Sequence, residues 1–340
     1  MKLRVLLLQE DQASGGVSTI SNTLCQALWQ QDWQVTQLEL NRCGWHERLS
    51  AARKCDVILA SHNFKPAYVG LALGLMLRKP VVAWVHGPVF EVLAQAHASA
   101  FKRAWLHWLY RRLRQFVFVS RASRDSFERF MQRPLAAHQH GAVIPNVVAP
   151  IPLPANSLWA AEAATATPQL AYIGRLSQEK RPQLLLDMLR LLPVQFRLTL
   201  VGDGPLRDEM RQAGADLLSS GRLTLAGAQA HGPGLYTPWH MTLLASRYEG
   251  CPMSLLESFT MGVPCVGLPI AALQEVIGVD APYLLAREAS AQALADTVLA
   301  VWAMPRQQVQ ADMARVLSQH HVQDFVRAWQ TVLQEAAQRC

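Results

Sequence analysis

Gln169-Leu170-Ala171-Tyr172-Ile173-Gly174-Arg175-Leu176-Ser177-Gln178-Glu179-Lys180-Arg181-Pro182 is the stretch on which the fold turns. After Gln169 a short apolar run, 170–173, stops at Gly174, and a helical pattern follows from about residue 180. A continuous apolar run closed by a turn suits a strand buried in a parallel sheet. Gly174 allows a tight backbone there. Arg175 and Lys180 then project from the loop at the strand's carboxyl end. Arg offers phosphate a forked pair of hydrogen bonds, and Lys a point charge. Solvated surface charges would read the same way.

Immediately upstream the rhythm is broken. Ala149-Pro150-Ile151-Pro152-Leu153-Pro154, followed by an Ala/Thr-rich stretch to Pro168, has the composition of an interdomain linker. Before it, strands are expected at 3–8, 34–40, 56–61, 80–86, 115–120 and 142–145. Helices are expected up to about Gln31, near 65–77, over 88–114 with a break, and at 121–132. After it, strands are expected at 169–173, 196–201, 222–226, 241–245, 264–267 and 283–286. Helices fall near 180–192, 205–219, 252–262 and 271–277, and the tail from Ser290 is nearly all helical. At 340 residues the chain is too long for one ordinary core. The alternation predicts an α/β fold of two Rossmann-like, doubly wound domains facing across a cleft, the usual place for a ligand. The expected boundaries are 1–150 for the first domain, 151–168 for the linker, 169–321 for the second domain, and 322–340 for a last helix returning to the first.

Downstream, Glu249-Gly250-Cys251-Pro252-Met253-Ser254-Leu255-Leu256-Glu257 sets two glutamates eight positions apart. Pro252 can open a helix, where its missing N–H does no harm. Unpaired N–H groups at a helix start favour an anion such as a diphosphate. A nearby carboxylate can accept two hydrogen bonds from ribose hydroxyls. Acidic residues also favour helix starts on their own account. Val201-Gly202-Asp203-Gly204-Pro205 lies after another expected strand, and Arg207 stands where a dinucleotide fingerprint needs its third glycine. It suits a turn near a nucleotide, or a plain strand-to-helix turn.

Taken together, these segments resemble glycosyltransferase family 4, retaining enzymes of the GT-B fold. The resemblance rests on Gly174-Arg175…Lys180, Gly202-Asp203-Gly204-Pro205, Glu249…Glu257 and Gly262-Val263-Pro264, in that order and spacing. Gly15-Gly16, His86-Gly87, Val119-Ser120 and Ile144-Pro145-Asn146 are similar to the family's weaker landmarks in the first half. The resemblance implies a nucleoside diphosphate sugar as donor and a glycan or glycolipid as acceptor. It implies that Arg175 and Lys180 hold the diphosphate, that Glu257 binds the ribose, and that Glu249 sits beside the donor sugar. The Gly250, Cys251, Pro252 and Met253 backbone would contact sugar and phosphate. Gly202 and Gly204 would lie near the nucleotide, and Gly15 and Gly16 would let the backbone approach the diphosphate or acceptor. His86 would contact donor sugar or acceptor near the reacting carbon; read alone, it suits a core histidine equally. Cys251-Pro252 replaces the more usual Phe-Gly, Ser258 stands where Ala is common, and His240 stands where Asp is frequent. No Asp-x-Asp is present to hold a metal with the diphosphate, so a metal-independent reaction without a cofactor is expected.

Composition narrows the rest. Apolar residues make up 51% and charged residues 17%, as in a globular chain. Residues 1–150 carry 18 Lys and Arg against 9 Asp and Glu; the remainder carries 14 against 16. A basic first half suits an anionic partner or simple solubility; nucleic acid is not the partner that the resemblance implies. The six cysteines form no C-x-x-C pair, which fits a reducing cytoplasm. The first apolar run is too short for a signal peptide, and the longest, 67–77, is too short to span a bilayer. On a helical wheel over 101–116, Trp105, Trp108, Leu109, Leu113 and Phe116 share one face, with Arg103, His107, Arg111 and Arg114 opposite. That pattern suits contact with an anionic membrane or packing on the core. Two other functions stay open: a glycan- or nucleotide-binding protein without turnover, and a dehydrogenase, for which Glu39 ends the second expected strand but the third glycine is missing.

Overall fold

The computed structural model describes residues 2–10, 15–62, 64–149, 158–159, 167–230 and 232–339. Of the linker expected over 151–168, only Leu158, Trp159, Thr167 and Pro168 are among them. The chain divides into two units, Met1–Val147 with His320–Cys340, and Val148–Gln319.

Unit 1 is built on a six-stranded, wholly parallel sheet of order β2-β1-β3-β4-β5-β6. The strands are β1 (Arg4–Gln9), β2 (Gln34–Glu39), β3 (Val57–Ala60), β4 (Val81–Val85), β5 (Gln115–Phe118) and β6 (His140–Val143). Its helices are α1 (Gly16–Trp29), α2 (Trp45–Lys54), α3 (Lys65–Leu77), α4 (Val89–Gln95), α5 (Ala100–Arg112) and α6 (Arg121–Met131). Strands β3, β4 and β5 are buried along their whole length, which is why they read as unbroken apolar runs. Strand β6 begins two residues earlier than expected, because His140 pairs with Gln115 at the start of β5. Helix α2 was not among the expected helices; the Glu47 carboxylate closes its first turn by accepting from the Gly44 N–H at 2.8 Å.

The final helix of the chain belongs to unit 1. It packs on α1, β3 and β4. Its Trp329 meets Trp84 edge-on at 4.6 Å between ring centroids, with Phe325 at 6.4 Å from Trp84. Trp84 and Trp329 are fully buried. Burying a side chain of that size stabilises by about 3 kcal/mol, so the tail is an integral layer of this unit.

In α5 the structure divides the aromatic stripe that the helical wheel put together. Leu106, Leu109, Tyr110 and Leu113 face the core, while Phe101, Trp105 and Trp108 are 81%, 44% and 40% exposed. The core stripe follows the i, i+3, i+4, i+7 spacing of a helix, which leaves the two tryptophans to one side. There they stack on each other at 4.8 Å, with the Arg112 guanidinium 3.9 Å from the Trp108 ring. His107 does not share the basic face; it stacks on Phe130.

Unit 2 carries a five-stranded parallel sheet of order β11-β10-β7-β8-β9, made of β7 (Gln169–Ile173), β8 (Arg197–Val201), β9 (Leu223–Gly227), β10 (Met241–Leu244) and β11 (Cys265–Gly267). Its helices are α7 (Pro182–Leu191), α8 (Arg207–Ala213), α9 (Ala215–Ser219), α10 (Met253–Thr260), α11 (Ala271–Ile277), α12 (Ala291–Trp302) and α13 (Arg306–Leu317); the unit 1 tail helix is α14 (Val322–Gln338). The strand expected at 283–286 does not form. Pro282 starts a 3-10 turn, and only Leu285 bridges to Gly267, because proline fixes φ and withholds a ladder donor. The helix expected over 205–219 is interrupted at Gly214. No described cysteine is in a disulfide, and no helix of the described residues is long and apolar enough to cross a membrane.

Candidate functional site

Two loops at the carboxyl ends of β7 and β8 are stapled together. The Gly174 N–H donates to Val201 O (2.9 Å), Leu176 N–H to Asp203 O (2.9 Å), and Leu206 N–H to Leu176 O (3.0 Å). The contact is backbone on backbone. Gly202 has φ +141°, and a Cβ there would lie 1.9 Å from Gly174 O; a Cβ on Gly204 would lie 2.4 Å from Leu176 O. Both glycines are therefore required for the two turns to meet. Buried Tyr172 completes the clamp, its hydroxyl donating to Arg175 O at 2.7 Å. The Arg175 side chain is exposed and makes no ion pair among the described residues.

Lys180 ends the 3-10 turn Gln178–Lys180 that leads into α7. Its Nζ donates to Glu249 Oε1 at 2.6 Å, and the Ser246 hydroxyl donates to the same oxygen at 2.6 Å. The pair is largely shielded, with side-chain exposures of 25% and 13%. Arg181, which carried no role in the sequence, holds the loop that bears Glu249. Its Nε donates to Ala245 O (2.8 Å) and Nη2 to Ser246 O (3.2 Å), while Arg247 N–H donates to Glu179 O (2.7 Å). Arg181 adopts φ +49° to do so. Gly250, Cys251, Pro252 and Met253 then run buried into α10. Pro252 is the N-cap, and no side chain caps the first turn.

Glu257 lies in the second turn of α10 and is 7% exposed. A carboxylate buried to that degree needs donors. The Tyr236 hydroxyl, itself buried, donates to its Oε2. Burial, followed by the Glu257 carboxylate, pushes the Tyr236 phenol far above its usual range, so it stays a donor. On the same helix Ser258 bonds to Thr242 (2.7 Å) and to Val263 O (2.8 Å), which accounts for a hydroxyl at this buried position. His240 is a packing residue: its Nδ1 accepts from Gln169 N–H at 3.0 Å, and its ring meets Trp302 edge-on.

In unit 1, His86 follows β4 and lies over Trp84, ring centroids 4.3 Å apart. Its Nε2 is 3.2 Å from the Ser61 hydroxyl, which is 2.8 Å from the Ser21 hydroxyl; both serines are buried. Burial, followed by the charge of His62, pushes His86 well below its ordinary value, so the ring is neutral at pH 7. Gly15 caps α1 in an extended conformation, Gly16 is the helix's first residue, and a Cβ on Gly15 would meet nothing within 4 Å among the described residues. Glu39, the residue a dehydrogenase would need, is paired with Arg42 at 3.1 Å. Among the described residues no three His, Cys, Asp or Glu side chains gather as a metal site requires.

Comparison with known proteins bears on both units. Residues 167–304 match the family model described as glycosyl transferases group 1, and residues 37–150 match that of glycosyltransferase family 4. The chain is 32% identical over 117 residues to a lipopolysaccharide 1,6-galactosyltransferase of Escherichia coli, covering 31% of this chain and 30% of that one. It is 32% identical over 113 residues to a glycogen synthase of Thermus thermophilus, covering 32% and 26%. The aligned part thus spans under a third of the length of these curated relatives. Among solved structures, Anabaena HepE in complex with UDP-glucose superposes with a TM-score of 0.79 at 19% identity, covering 98% of this chain and 100% of that one. The lipopolysaccharide outer core galactosyltransferase WaaB superposes at 0.67 and 15%, covering 98% and 99%. These likenesses show the two-domain fold, GT-B.

Proposed function

The chain belongs to the family 4 glycosyltransferases, and on that premise we propose that it transfers a hexose-type sugar from a nucleoside diphosphate sugar to a glycan or glycolipid acceptor, with retention and without a metal. The observation that carries this reading is the junction of Lys180, Glu249 and the uncapped start of α10 at the carboxyl ends of β7 and β10. Breaking the sugar–phosphate bond builds positive charge on the anomeric carbon and negative charge on the departing diphosphate. Fixed donors placed where that negative charge grows lower the barrier. Lys180, Arg175 and the free N–H groups of α10 would hold the diphosphate, and Glu257 the ribose. Glu249 keeps Lys180 in place and sits where the sugar would enter, beside the Gly250–Met253 backbone. In unit 1, neutral His86 and the side-chain-free Gly15–Gly16 backbone suit hydroxyl-bearing partners. Retention follows if the acceptor attacks on the face that the diphosphate leaves.

The acceptor proposed is a surface polysaccharide or lipopolysaccharide, as for the galactosyltransferase relatives, and the site of action the inner face of the cytoplasmic membrane. Phe101, Trp105 and Trp108 give α5 an exposed apolar edge, the two tryptophans stacked on each other. Lys102, Arg103, Arg111 and Arg112 supply its charge, and α5 contains no acidic residue. Tryptophan beside cations suits an anionic lipid surface.

The test is UDP release from UDP-glucose and UDP-galactose. Release above buffer is expected, falling about 100-fold in Lys180→Ala. Release equal to buffer, with UDP still bound, would instead favour a binding protein that has lost turnover.

A further inference from the structure

We propose that Tyr236 is a positioning residue for nucleotide recognition, acting through Glu257. The inference rests on the donor reading above and adds a residue that neither the motifs nor the family resemblance contains. A carboxylate can accept from both hydroxyls of a ribose only when its plane is turned towards them. The terminal torsion of a glutamate is broad, so the α10 backbone does not set that plane. The Tyr236 hydroxyl helps to set it, by donating to Oε2 from the segment between β9 and β10.

The tyrosine is itself immobilised. It lies in an apolar cluster with Val201, Leu235, Met261 and Val263, the last two of which follow α10 directly. The Trp239 Nε1–H donates to Leu235 O at 2.8 Å, and the Trp239 N–H to Tyr236 O at 3.2 Å. The segment between β9 and β10 therefore presents one hydroxyl, at a fixed point, to one carboxylate. A carboxylate frozen before the nucleotide arrives loses less freedom on binding it. If Tyr236 merely satisfied a buried acid, its removal would weaken every nucleotide alike; acting as proposed, it weakens those with an intact ribose diol.

Isothermal titration with UDP and 2′-deoxy-UDP separates the two. The wild-type chain is expected to bind UDP about tenfold more tightly than 2′-deoxy-UDP. In Tyr236→Phe, UDP affinity falls about tenfold and the ratio drops below about threefold. An unchanged ratio in Tyr236→Phe overturns the inference. Because that substitution leaves a buried carboxylate short of a donor, the pair Glu257→Gln and Glu257→Gln/Tyr236→Phe serves as a second arm. The two are expected to bind UDP within about twofold of each other, and a larger difference overturns the inference, since Tyr236 would then act independently of Glu257. A wild-type chain that binds neither nucleotide overturns the donor reading and this inference with it. Binding with no ribose preference overturns this inference and leaves the donor reading standing.

Discussion

The two units place glycines at the same point of their architecture, after a strand and before a helix, and use them for different reasons. In unit 2, Gly202 and Gly204 press against the backbone of the Arg175 loop, with no room for a Cβ. In unit 1, Gly15 is extended, and among the described residues nothing lies within 4 Å of where its Cβ would stand. The unit 2 glycines are demanded by backbone contact; Gly15 is not, among the described residues. The flanking chemistry differs in parallel. Unit 2 pairs a lysine with one carboxylate and a phenol with another, whereas unit 1 gathers a neutral imidazole and two hydroxyls. An ion pair thus marks the strand ends of unit 2, and a neutral hydrogen-bonded cluster those of unit 1.

Substitution sharpens that contrast. Gly202→Ala must move a carbonyl that a Cβ would meet at 1.9 Å while holding an unfavourable φ, and is expected to destabilise by about 3 kcal/mol. Gly15→Ala should cost under about 0.5 kcal/mol yet reduce sugar transfer. Chemical denaturation measures the first difference and turnover the second; equal stability losses would erase the distinction between the two loops.

A smaller effect is expected with pH. His86 titrates well below its ordinary value because it is buried beside His62, and His240 and His320 are lowered mainly by burial. The unfolded chain then takes up protons that the folded chain refuses. Their contribution is complete above about pH 6.5 and is lost as pH falls from there towards the folded values, at no more than about 1.4 kcal/mol per pH unit for each histidine. Urea unfolding between pH 7.5 and 5 should show this slope, and His86→Gln should flatten it. A slope unchanged in His86→Gln would mean that the ring already titrates normally in the fold.

The smallest effect concerns the α5 surface. Trp105→Ala/Trp108→Ala should leave UDP release from a soluble donor nearly unchanged, and reduce flotation with vesicles containing phosphatidylglycerol. Flotation equal to wild type would assign these tryptophans to some other contact.

Much of this was legible in the sequence because the signals are local. Strand, glycine turn and helix follow one another within 169–182, and the Glu249…Glu257 spacing lies on one loop and helix. What escaped was set by contacts remote in sequence. Tyr236 lies 21 residues from Glu257 in an irregular segment. Arg181 bonds to carbonyls 64 and 65 residues away, and the serines behind His86 come from α1 and the end of β3. No periodicity announces such partners. The aromatic stripe of 101–116 was misread for a related reason: a wheel cannot say which of two neighbouring apolar faces meets the sheet. The strand expected at 283–286 failed because Pro282 outweighed its apolar pattern.

The most direct test of the central claim, that cations of unit 2 hold a departing diphosphate, is a titration of UDP against UMP on the wild-type chain and on Lys180→Ala. The wild type should favour UDP by about tenfold or more, and the variant should bring the two nucleotides within about threefold of each other. A preference for UDP that survives the loss of Lys180 intact would contradict the account.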